Sequence, residues 1–82
     1  MGQGMTAELA LLCAMDKVAD QLRMIGWPED EPPEWSLTYG RYSVYATASL
    51  MDDNGQRRAV VDAITGFLPW TRRELHRVIA LA

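Results

Sequence analysis

Cys13 and His76 are the one cysteine and the one histidine of this 82-residue chain. Together they form the only combination that could supply a nucleophile and a base. A thiolate is the reactive form of cysteine, and an apolar setting suppresses it. Cys13 lies inside Leu9–Met15 (LALLCAM), the most apolar run of the chain, and so reads as a small buried hydrophobe. His76 stands among Arg72, Arg73 and Arg77 and reads as a surface side chain. Zinc sites need three or four cysteine, histidine or carboxylate ligands, which this pair cannot supply. Glu29, Asp30, Glu31 and Glu34 are dense in carboxylates, but their spacing lacks the pattern of a calcium-binding loop. Neither a phosphate-binding glycine loop nor a catalytic triad is legible. The expectation is a protein that is not an enzyme and has no cofactor or metal.

Two other groups of residues suit binding. Trp27 and Trp35 flank the acids Glu29, Asp30, Glu31 and Glu34 in a segment with three prolines. Carboxylates steer a basic partner and tryptophans anchor it. Arg72, Arg73 and Arg77 make a second charged group. Residues 1–56 carry three basic side chains against nine acids, a net charge of −6. Residues 57–82 carry five against two, a net of +3. The whole chain is at −3, which disfavours a general attraction to nucleic acid or to anionic membranes.

The elements that must position these groups follow from periodicity. Thr6 to Ile25 predicts a helix, with Thr6 as cap and Glu8 in the first turn. Leu11, Met15, Val18, Leu22 and Ile25 form its apolar stripe, and Asp16, Lys17, Asp20 and Arg23 its wet side. Gly26 and Pro28 end it. Its first half carries few charges, which suits either a covering position on a sheet or contact with a second copy of the chain. Trp27–Glu34 is a proline-rich loop. Trp35, Leu37 and Tyr39 alternate, and Gly40-Arg41 reads as a tight turn. Tyr42 to Met51 alternates over ten positions, with Ala46 and Ala48 leaving room for a helix. Asn54-Gly55 supplies the positive φ angles of a hairpin turn, and Gln56 to Ile64 returns as a third strand. Thr71 with Glu74 reads as a capping box, and Trp70 with Leu75 as a hydrophobic staple, which predicts a final helix carrying Arg72, Arg73, His76 and Arg77 outward.

The expected fold is therefore one α+β domain over residues 1–82, with residues 1–5 flexible. Its order is α-β-β-β-α: a three-stranded antiparallel sheet with two helices packed on one face. This order is similar to that of double-stranded RNA-binding domains. The resemblance implies that Arg72 and Arg73, at the start of the last helix, meet phosphates across a groove, with Arg57 and Arg58 beside them. The lysine-rich signature of that family is missing. In size and acidity the chain is also similar to phage-encoded inhibitors such as anti-CRISPR proteins.

A single cysteine excludes an internal disulfide and predicts a reducing, cytoplasmic setting. No transmembrane or leader segment is predicted. The function expected from these observations is a non-enzymatic inhibitor or adaptor that binds a protein partner, which could itself be a nucleoprotein complex. Its predicted contacts are Trp27, Glu29, Asp30, Glu31, Glu34 and Trp35 on one surface, and Arg72, Arg73 and Arg77 on another. The alternative is a nucleic-acid-binding module using Arg57, Arg58, Arg72 and Arg73.

Overall fold

The computed structural model describes residues 4–26, 32–66 and 68–81. The contact residues Trp27, Glu29, Asp30 and Glu31 expected from the sequence lie outside these described residues. One helix, α1 (Ala7–Ile25), is followed by four strands: β1 (Glu34–Tyr39), β2 (Tyr42–Asp53), β3 (Gln56–Thr65) and β4 (Arg73–Ala80). The strands form a single antiparallel sheet in the order β1-β2-β3-β4. The α+β class holds, with one helix and four strands in place of two helices and three strands.

Local chemistry explains the first elements. The Thr6 side chain accepts a hydrogen bond from the Leu9 N–H and so caps α1. Gly26 closes the helix at φ 78°, a conformation that costs glycine nothing. Gly40-Arg41 joins β1 to β2 as a two-residue turn, pairing Tyr39 with Tyr42. Asn54 and Gly55 both take positive φ at the β2–β3 hairpin, and the Asp52 carboxylate accepts from the Gly55 N–H.

The core is a thin layer between α1 and one face of the sheet. From the helix it takes Ala10, Leu11, Ala14, Met15, Val18 and Leu22. From the strands it takes Val44, Ala46, Ala48, Ala59, Val61, Ala63 and Ile79. Alanines on both sides bring helix and sheet close together. The residues between the core positions of each strand point to the other face. None of the described residues covers that face.

The final segment corrects the sequence reading. Residues 73–80 are an edge strand, and Arg72, Arg73, His76 and Arg77 do not share a helix surface. Thr71 caps no helix. Its hydroxyl oxygen accepts from the Leu68 N–H and donates to the Leu68 carbonyl, which fixes a turn. Trp70 is largely exposed and forms no buried staple. The physical reason lies in β3. Its side toward β4 offers a row of backbone donors and acceptors, and Leu75, Ile79 and Leu81 satisfy a period of two as readily as a helical spacing.

Candidate functional site

The uncovered sheet face gathers side chains from all four strands. Register places Glu34, Thr47, Asp62 and His76 in one row across the sheet. The neighbouring row is Ser36, Tyr45, Ile64 and Glu74. On the other side, Ser49, Val60 and Val78 line up. Tyr45 is 44% exposed, Val78 49% and Met51 37%. Val60 and Ile64 are half-buried between them. Tyr45 and Ile64 form one apolar pair and Val60, Val78 and Met51 a second group, with the polar row of Thr47, Asp62 and His76 between them. A shallow cavity of about 250 Å³ sits at the end of the face near Gly66, bordered by Ser36, Thr38, Ser43, Tyr45 and Ile64.

Two hydrogen bonds organise the polar groups. The Tyr45 hydroxyl donates to Glu34 Oε2 at 2.7 Å. This bond pushes the Tyr45 phenol above its ordinary range, and partial desolvation and the Glu34 charge add to the shift. His76 Nδ1 lies 2.5 Å from Asp62 Oδ1, which orients the imidazole across the β3–β4 pair. Both of these side chains are 62% exposed. Cys13 lies on α1, on the opposite side of the sheet, so the cysteine and the histidine are not brought together. Its backbone carbonyl accepts from the Tyr39 hydroxyl at 3.3 Å. Burial pushes the Tyr39 phenol up, with Cys13 and Asp16 adding to the effect. Among the described residues, no three histidine, cysteine, aspartate or glutamate side chains converge as metal ligands. No described helix is long and apolar enough to cross a membrane.

The two contact surfaces expected from sequence are redistributed. Glu34 lies on the open face. Trp35, next to it, points to the helix side and donates its indole N–H to Gln21 Oε1 at 2.6 Å. Arg73 and Arg77 stand on the helix side of β4, and Arg73 Nε pairs with Glu8 at 3.4 Å. Arg72 precedes the strand and pairs with Glu74 at 3.5 Å. Arg57 and Arg58 fall on opposite faces of β3, with Arg58 3.8 Å from Asp53. The final helix that the RNA-binding resemblance requires is therefore missing among the described residues, and its four arginines are divided: Arg57 and Arg73 face the helix side of the sheet, Arg58 the open side, and Arg72 precedes β4. The Tyr45 and Asp62–His76 cluster was not anticipated. Its signal was the outward half of the β2 and β3 alternation, where Tyr45, Met51, Val60 and Ile64 are too apolar for a purely wet face.

Comparison with protein-family models, with curated proteins and with solved structures finds no match to this chain.

Proposed function

We propose that this protein is a non-enzymatic inhibitor or adaptor that docks a larger protein assembly through the open face of its sheet. The observation that carries the reading is the exposure of three large side chains, Tyr45, Met51 and Val78, on a face that α1 leaves bare. Large exposed apolar side chains inside a polar rim are a mark of interaction surfaces. Tyrosine in particular supplies contact area at low entropic cost. Carboxylates stand among these side chains: Asp62 between the two apolar groups, and Glu34 and Glu74 beside Tyr45 and Ile64. The matching partner surface presents apolar side chains ringed by lysine or arginine.

The test is affinity capture from a bacterial lysate with and without nuclease treatment, with wild type compared against Tyr45→Ala and Met51→Asp. Both positions are exposed, so folding is retained. A protein complex captured by wild type and by the outer-helix control Leu12→Asp, but lost by both face variants, supports the reading. Capture that depends on intact nucleic acid, or that survives both face variants, contradicts it.

A further inference from the structure

We infer that the free edge of β4 pairs antiparallel with β4 of a second copy of this chain, extending the sheet from four strands to eight. The backbone phase is fixed by one bond. The Leu81 N–H donates to the Arg57 carbonyl at 3.1 Å. In an antiparallel ladder, residues bonded to the neighbouring strand alternate with residues whose N–H and C=O point away. With Ala63 opposite Leu75, Val61 opposite Arg77 and Ala59 opposite Ile79, these three β4 residues bond inward to β3. Glu74, His76, Val78 and Ala80 then turn their backbone groups to the outer edge. Among the described residues only one of these groups is met: Arg23 Nη2 reaches the Ala80 carbonyl at 3.5 Å. Glu74, His76 and Val78 offer three donors and three acceptors on a strand without proline or bulge. Such an edge is a template for another strand.

The side chains indicate which strand. Consider two β4 strands related by a two-fold axis at Leu75. Glu74 of one copy opposes His76 of the other, twice over. Leu75 meets Leu75 as a pair without mutual hydrogen bonds, the closer of the two spacings. Each His76 then sits between Asp62 of its own chain and Glu74 of the other. The unfavourable pair, Arg73 against Arg77, also occurs twice and is moderated because Glu8 already holds each Arg73. An axis at Arg77 opposes the two Arg77 side chains and loses the Glu74–His76 match, and an axis at His76 loses that match as well. The other edge, β1, is shorter, follows Pro32-Pro33, and has no opposite-charge match with itself. The pairing also sets the two open faces side by side, so a dimer presents their exposed apolar side chains twice.

The experiment is sedimentation velocity on the whole protein from low micromolar to near-millimolar concentration. The expected result is a mass that rises with concentration toward twice the 9.2 kDa of one chain. Glu74→Pro removes an outward N–H that this register bonds to His76 of the second copy while leaving the β3 ladder intact, and weakens association about tenfold or more. Glu74→Lys keeps the backbone and also weakens association, which covers the case in which proline unfolds the strand. Ser36→Pro on β1 leaves association unchanged. In a Cys13→Ser background, Leu75→Cys forms a disulfide-linked dimer on mild oxidation and Arg77→Cys does not. A monomer at every concentration overturns the inference. So does association that resists both β4 variants or is lost in Ser36→Pro, and cross-linking through Arg77→Cys alone overturns the register.

Discussion

Trp35 donates its indole N–H to the Gln21 side-chain carbonyl at 2.6 Å, tying the first residues of β1 to the last turns of α1 across the proline-rich loop. The bond is partly buried, so water replaces it poorly. Gln21→Leu leaves the indole donor without its partner. The expected cost is about 1 kcal/mol. Urea denaturation followed by circular dichroism measures it, and an unchanged midpoint would show that this contact does not stabilise the fold.

The turn after β3 depends on a glycine. Gly66 has φ 97°, and a Cβ added there would lie 2.5 Å from the Thr71 carbonyl oxygen. Gly66→Ala is expected to cost about 3 kcal/mol, from conformation and collision together. Gly55 has φ 82° with open space around it. Gly55→Ala is expected to cost only about 1 kcal/mol, from conformation alone. Thermal unfolding of the two variants side by side checks the order, and equal losses contradict the close approach at Gly66.

The core is thin because alanines face each other across it. Ala63 is buried between α1 and the sheet and pairs with Ala46 on the next strand. Ala63→Leu has no room to enter and should destabilise by about 1–3 kcal/mol. Chemical denaturation gives the value directly. A stabilised variant would mean that the helix stands further from the sheet than described.

Two tyrosines set the alkaline limit. Tyr39 and Tyr45 both have raised pKa values in the folded state, the first mainly by burial and the second mainly by its bond to Glu34. A raised folded-state pKa favours the neutral phenol in the native protein. Its stabilising contribution is complete below the ordinary tyrosine value of 10.0 and is lost as pH rises through the folded-state value. Stability should therefore fall above pH 10, and Tyr39→Phe and Tyr45→Phe should each flatten the fall. Unfolding midpoints recorded across the alkaline range decide this. A slope identical to wild type in both variants would sink it.

Much of this architecture is legible in the residues. Thr6 and Gly26 mark the two ends of α1, Leu11, Met15, Val18 and Leu22 mark its buried stripe, and Asn54-Gly55 marks the hairpin. Strand β4 was not legible, because Thr71 and Glu74 mimic a helix cap while Leu75 and Ile79 fit either period. The deciding influence was tertiary: β3 needed a partner on its outer side, a requirement that no local window contains. The candidate site was hidden for the same reason. Asp62 and His76 are fourteen residues apart and meet only because β3 and β4 are in register. Glu34 was legible as a candidate contact, but its bond to Tyr45 required the β1–β2 pairing.

The proposed docking of a partner on the bare sheet face is tested by NMR mapping of the ¹⁵N-labelled protein against the purified captured partner. The predicted result is line broadening or shift change at Tyr45, Met51, Asp62, Ile64, His76 and Val78, with Asp16, Lys17 and Asp20 on the outer side of α1 unaffected. Perturbation confined to those helix positions, with the sheet face silent, would contradict the claim.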